Sequence, residues 1–234
     1  MIEIGGLQKS TLIDYSGKIA CTVFLVGCNL RCPWCHSPEI VLPDLITKQP
    51  IMEKQDFFSF LDSRKGLLDG VVICGGEPTI NKDLPEFIGE IKERSFSVKL
   101  DTNGTNPSMI RSLLDKKLID YIAMDLKAPI DKESYSLAVG VDLDTLAISE
   151  SVKLIKESGI DYEFRTTVVP GIHGIDEIKK IAEAIAPAKK YFIQVFQSVK
   201  NVDRSFVGKD GYSDNYMKEI KRNVEKMFDL CEIR

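Results

Sequence analysis

The segment Ile19–His36, IACTVFLVGCNLRCPWCH, runs an apolar stretch directly into a loop that carries three cysteines. Its first half, IACTVFLVG at 19–27, has the length and apolar content of a buried strand. Its second half sets Cys28, Cys32 and Cys35 in a CxxxCxxC pattern, with Gly27, Asn29 and Pro33 opposing a regular helix. Three thiols this close suit a metal better than a disulfide, since one pair would leave an odd thiol and strain the loop. A structural zinc site wants four protein ligands, usually from two CxxC pairs, and the chain offers one cluster of three. His36 could be a fourth ligand on paper, but it directly follows Cys35, and adjacent side chains rarely converge on one ion. An iron-sulfur cluster is the better reading, because a four-iron cube held by three thiolates leaves one iron open to a non-protein ligand. Zinc and a purely structural loop are the alternatives.

Outward from this segment the chain alternates strand and helix. Buried apolar runs recur at 70–74 (GVVIC), 97–101 (SVKLD), 121–127 (YIAMDLK), 162–169 (YEFRTTVV) and 191–197 (YFIQVFQ). Helical patterns fall between them at about 53–65, 84–95, 107–117, 149–158 and 175–186. Six strands separated by helices predict an α/β fold, a parallel sheet with helices packed on it. One more amphipathic helix is expected at 213–231, with Tyr216, Ile220, Val224 and Met227/Phe228 on one face. Six βα units are too few for the closed eight-stranded barrel of about 250 residues, and a doubly wound open sheet is one arrangement open to them. In barrels and open sheets alike, ligands bind at the C-terminal ends of the parallel strands.

The 234 residues suit a single domain, with a core at about 19–197 and a C-terminal extension at 198–234. Apolar content of 44% and charged content of 28% are those of a soluble globular protein. A net charge of −4 with interspersed signs leaves no nucleic-acid footprint. No apolar run approaches the ~20 residues of a membrane span, and MIEIGGLQKS lacks the order of a signal peptide. A cytoplasmic protein with no membrane partner is expected. In that compartment Cys21, Cys74 and Cys231 read as small buried hydrophobes.

The strand ends carry the remaining chemistry. After 70–74 comes CGGEPT, Cys74 to Thr79, where two glycines permit close backbone approach and Glu77 can accept from an ammonium. After 97–101 comes DTNG, Asp101 to Gly104, which alone is an Asx-capped turn. In MDLK, Asp125 and Lys127 lie two apart on one strand face, and an aspartate at the end of a buried strand needs a cation or a donor. The stretch RTTVVPGIH, Arg165 to His173, ends in a histidine beyond a Pro-Gly turn, expected to be a surface or loop histidine rather than part of the site.

With Trp34 just before its last cysteine, the CxxxCxxC loop resembles the signature of the radical SAM enzymes. The DTNG and DLK motifs resemble those of the glycyl-radical activating enzymes within that group. The opening GLQKSTLIDYSGKIACTVFLVGCNLRCPWCHSPE is most similar to activating proteins of anaerobic ribonucleoside-triphosphate reductase, with pyruvate formate-lyase activating enzyme a close second. The resemblance runs from Gly6 to about Gln197.

This resemblance implies a partial (β/α)6 barrel and a [4Fe-4S] cluster on Cys28, Cys32 and Cys35. The open iron would bind the amino and carboxylate groups of S-adenosylmethionine, which the reduced cluster cleaves to methionine and a 5′-deoxyadenosyl radical. Gly75, Gly76 and Glu77 would meet the methionine amino group. Asp101, Thr102 and Asp125 would hold a monovalent cation, with Lys127 and Arg165 reaching the cofactor. Trp34, His36 and Asn103 complete the implied cofactor-binding set. Gln194 stands where several activating enzymes use a histidine near the adenine. No side-chain acid or base is expected, because the cofactor breaks the bond. The implied partners are a glycyl-radical enzyme and an electron donor such as flavodoxin or ferredoxin, and the insertions 36–52 and 128–148 are the expected contact surfaces. A radical SAM enzyme acting on a small molecule and a non-enzymatic iron-sulfur or zinc module are the competing classes.

Overall fold

The structure is a computed structural model that describes residues 2–198 and 200–234. The elements run β1 (Ile4–Thr11), β2 (Ala20–Leu25), α1 (Pro38–Val41), α2 (Pro43–Ile46), α3 (Lys54–Asp62), β3 (Gly70–Gly75), α4 (Leu84–Glu93), β4 (Ser97–Thr102), α5 (Pro107–Asp115), β5 (Tyr121–Asp125), α6 (Lys132–Val139), α7 (Leu146–Glu157), β6 (Asp161–Val168), α8 (Ile175–Ile185), β7 (Ala188–Val195), α9 (Asp214–Val224) and β8 (Phe228–Ile233). All six expected strands are present, as β2 to β7, and the helices expected between them are α3, α4, α5, α7 and α8. The chain divides into two compact units. One holds the chain up to Asn29 with Glu39–Thr102 and Ser108–Ile122, the other Leu30–Pro38, Asn103–Pro107 and Ala123–Arg234.

In the first unit β2, β3 and β4 pair in parallel, Thr22 facing Val72 and Val72 facing Lys99. Five of the six residues of β2 are buried, as expected of a parallel strand covered on both faces. Phe57, Phe58 and Leu61 of α3 and Leu84, Phe87 and Ile88 of α4 are buried, and the Phe87 ring lies 5.4 Å from that of Phe57 and 5.6 Å from that of Phe58. β1 was not expected as a strand, because IGGLQKST is glycine-rich and polar. It pairs antiparallel with β2 through an irregular register, and tertiary pairing overrides its weak propensity. Gly5 fits there because a Cβ would lie 2.6 Å from Ile40.

In the second unit β6, β7 and β8 pair in parallel, Phe164 facing Tyr191 and Tyr191 facing Cys231. Apolar stripes of α7 (Ile148, Val152, Ile155), α8 (Ile178, Ile181, Ile185) and α9 (Met217, Ile220, Val224) are buried. The helix expected at 213–231 stops at Val224 and the chain returns as β8. Helical periodicity does extend to Met227 and Phe228, but FDLCEI carries no strong preference, and the open edge of β7 supplies the backbone partners that make it a strand. The insertion 128–148 is also not irregular. It contains α6, whose Asp131 cap accepts from the Ser134 amide at 2.8 Å and whose C-cap Gly140 is left-handed, φ 70°.

Candidate functional site

The GGE turn is built against the start of the cysteine loop. The Gly76 amide donates to the Leu25 carbonyl at 2.9 Å and the Glu77 amide to the Gly27 carbonyl at 2.8 Å. A Cβ on Gly75, itself at φ 132°, would collide with the Leu25 backbone, and one on Gly76 with the Gly27 carbonyl. The same Gly76 Cβ would stand 3.2 Å from the Cys28 Cβ. The two glycines are therefore demanded by chain-to-chain approach, with or without a ligand.

Glu77 is 1% exposed, and its Oε1 accepts from the Thr79 hydroxyl (2.5 Å), the Thr102 hydroxyl (2.7 Å) and the Thr79 amide (3.1 Å). A buried carboxylate is tolerated only with such donors, and these fix its rotamer. Sequence reasoning missed Thr79, although Thr two residues after a glutamate is a local capping signal. Asp101 lies 3.6 Å from the ammonium of Lys99, which is 2% exposed and donates to the Asp14 carbonyl. Lys99 was likewise not singled out from the sequence.

The second unit gathers Trp34, His36, Asn103, Asp125, Lys127, Arg165 and Gln194. Arg165 Nε donates to Asp125 Oδ1 at 2.7 Å and Lys127 Nζ to Asp125 Oδ2 at 3.0 Å. Burial opposes the charge on Asp125, but the two cations outweigh it and hold its carboxyl well below the usual range. Lys127 moves the opposite way, since Asp125 overcomes the burial that would lower it. The Lys127 ammonium lies 5.1 Å from the centre of the Trp34 ring. Arg165 also faces buried Glu163 at 3.9 Å, a carboxylate with no sequence signal beyond alternation. Asn103 Oδ1 accepts from the amide and hydroxyl of Thr105 at 3.0 and 2.7 Å, the Asx turn expected of DTNG. Gln194 sits opposite Thr167 in the β6–β7 register, its Oε1 3.5 Å from the Thr167 hydroxyl.

Cys32 and Cys35 bracket a turn closed by the Cys35 amide on the Cys32 carbonyl at 3.0 Å. The Arg31 amide donates to the Val139 carbonyl at 2.8 Å and the Trp34 indole to the Ala138 carbonyl at 3.2 Å, so the end of α6 supports this turn. His36 packs 5.8 Å from the Phe196 ring, and burial lowers its pKa.

His173 lies in a loop, as expected, but not on the surface, for it is 1% exposed. Its Nδ1 accepts from the Val169 amide at 3.0 Å, so Nε2 carries the proton and donates to the Lys127 carbonyl at 2.8 Å. The Pro-Gly turn folds the histidine back under the strand end, which its distance along the chain concealed. Cys21 and Cys231 are buried thiols, as expected, pushed up to about 12 and about 11 by burial. Cys74 is partly buried against Tyr15, Ala20, Val72 and Tyr121.

Residues 22–185 match the family model of the radical SAM superfamily. The chain belongs to that superfamily. Among similar radical SAM proteins, one from Methanocaldococcus jannaschii, named as a candidate glycyl-radical enzyme activating enzyme, is 33% identical over 236 residues, 99% of this chain and 95% of the relative. Pyruvate formate-lyase-activating enzyme of Clostridium pasteurianum is 28% identical over 193 residues, 79% of this chain and 76% of that one. The fold matches the crystal structure of Streptococcus suis SuiB bound to S-adenosylmethionine with a TM-score of 0.67 at 15% identity, covering 88% of this chain and 48% of SuiB.

Radical SAM membership implies a [4Fe-4S] cluster and S-adenosylmethionine. The residue types fit both, while among the described residues no three His, Cys, Asp or Glu side chains are gathered around one metal position. Cys28, Cys32 and Cys35 are free cysteines, the donor chemistry of an iron-sulfur cluster, and the His36 ring lies 5.8 Å from that of Phe196. Beside the start of the cysteine loop, Glu77 is a carboxylate fixed by Thr79 and Thr102, an acceptor suited to an ammonium. Among the described residues no helix is long and apolar enough to cross a membrane.

Proposed function

We propose that this radical SAM enzyme installs a glycyl radical on an anaerobic ribonucleoside-triphosphate reductase, with pyruvate formate-lyase as the second candidate target. The observation that carries the reading is the match over 99% of this chain and 95% of a relative named for glycyl-radical enzyme activation. The opening GLQKSTLIDYSGK favours the reductase over the lyase. The chain works as one domain, 1–234, in the cytoplasm, reduced by a flavodoxin or a ferredoxin.

In this reading Cys28, Cys32 and Cys35 hold the [4Fe-4S] cluster. When bound and reduced, the cluster would supply the one electron for reductive cleavage of S-adenosylmethionine, chemistry that would end in removal of hydrogen from a glycine Cα of the partner. The chain itself binds and orients. Gly75 and Gly76 bring the turn that meets the methionine amino group against the cysteine loop, and Glu77, its rotamer fixed by Thr79 and Thr102, accepts from that ammonium. Lys127 and Arg165 bring positive charge towards the carboxylate, each steadied by Asp125. Trp34 supports Lys127, His36 flanks the cysteine turn, Asn103 shapes the loop after β4, and Gln194 offers an amide to the adenine. Asp101, Thr102 and Asp125 are the residues for a monovalent cation. A hydroxyl that gives its proton to Glu77 still presents lone pairs, which suits Thr102 to that role.

The test mixes reconstituted, reduced protein and S-adenosylmethionine with an anaerobic ribonucleotide reductase or a pyruvate formate-lyase under electron paramagnetic resonance. A glycyl radical on the reductase is expected. Cofactor cleavage that leaves both partners radical-free while a small metabolite is consumed would refute the proposal.

A further inference from the structure

The cysteine turn is gripped by a segment more than 160 residues away along the chain. The Asp203 amide donates to the Pro33 carbonyl at 2.8 Å, the Asn201 side-chain amide to the Trp34 carbonyl at 2.9 Å, and the Val202 amide to the Cys35 carbonyl at 3.0 Å. Three successive carbonyls of the turn thus take their donors from three successive residues, and Asn201 is only 7% exposed. The gripping segment is itself braced. The Ser198 hydroxyl donates to the Phe206 carbonyl and accepts from the Gly208 amide, each at 2.6 Å, and the Asp203 side chain accepts from the Ser205 amide at 2.8 Å.

From the other side Gly140, at the end of α6, lies so near that a Cβ would stand 2.5 Å from the Arg31 carbonyl. In a trans peptide the N–H points opposite to the C=O. Carbonyls tied to 201–203 therefore aim the amides of Trp34, Cys35 and His36 away from that segment, and the Cys35 amide is the one that closes the turn on Cys32.

We propose that Asn201–Asp203 is the positioning element of the cluster loop, and that Asn201, by fixing the Trp34–Cys35 peptide plane, presets the Cys32 and Cys35 thiols before any metal arrives. Peptide dipoles around a cluster set its reduction potential, so the same segment also tunes the loaded enzyme. The inference rests on radical SAM membership and is independent of which partner is activated.

The test compares wild type with Asn201→Asp, which keeps shape but sets oxygen against the Trp34 carbonyl. In the metal-free protein, hydrogen exchange at the Cys35, Val202 and Asp203 amides should rise about tenfold while the amides of β2 and β3 stay unchanged. In the loaded enzyme, the reduction potential followed by electron paramagnetic resonance should fall and the line shape should change. Unchanged exchange at those amides together with an unchanged potential would overturn the proposal. If Asn201→Asp unfolds the whole chain, Ser198→Ala decides. It loosens the segment without touching the turn, so a local rise at the same amides supports the assignment and no rise refutes it.

Discussion

At the scale of single residues, Glu77 is a buried carboxylate whose Oε1 accepts from the hydroxyls of Thr79 and Thr102. Glu77 stood in a legible motif, yet its rigidity comes from Thr79 and Thr102, the latter on a different strand. Thr102→Val removes one donor to a buried carboxylate, worth about 1.5 kcal/mol or more. If Glu77 holds the ammonium, the Kd for S-adenosylmethionine should weaken about tenfold, while the iron-sulfur absorbance is retained. Isothermal titration of the loaded enzyme measures the first and the visible spectrum the second.

His173 lacked any motif beyond Pro-Gly, and only the folded turn reveals it as a neutral strut between Val169 and Lys127. Burial lowers its pKa below the usual 6.5, with the backbone bond to Lys127 opposing. The unfolded chain then binds the proton more readily than the folded one. Its contribution to stability is complete above pH 6.5 and is lost as pH falls towards the folded value. Denaturant unfolding of the metal-free protein should show stability declining below that pH. In His173→Gln part of the decline should vanish, the remainder including His36, which is shifted the same way.

At the scale of elements, the parallel strands were legible because both of their faces are buried, which writes continuous apolar runs into the sequence. The edge strands β1 and β8 were not, since an edge position tolerates polar residues and its partner is chosen by space rather than by pattern. β8 nonetheless closes the β7 side of its unit. The Tyr191 and Phe228 rings lie 4.9 Å apart, and the Arg234 amide and carbonyl continue the pairing to Ile193 and Val195. Deleting residues 228–234 should bare the β7 edge, lower the melting temperature and cause self-association, visible by size-exclusion chromatography. A deletion variant that stays monomeric with an unchanged melting temperature would show that β8 is dispensable.

At the scale of the whole molecule, the insertion 128–148 is one of the two expected partner-contacting surfaces, with 36–52, and it carries Leu137 and Leu146, 76% and 73% exposed. If the proposed partner docks there, Leu137→Glu with Leu146→Glu should cut glycyl-radical yield severalfold and leave cleavage of S-adenosylmethionine without partner unchanged. Equal loss of both activities would point to damage at the cofactor site instead. By itself the sequence determined the α/β class, the three thiols and the GGE, DTNG and DLK motifs, because apolar runs and ligand spacing are local properties that the chain writes in order. Only the tertiary structure decided that Thr102 steadies Glu77, that His173 holds the Lys127 carbonyl, and that Asn201 holds the cysteine turn. Each of these joins residues between strands or over much of the chain, where hydrogen-bond partners are assigned by proximity in space, and no local spacing encodes that proximity.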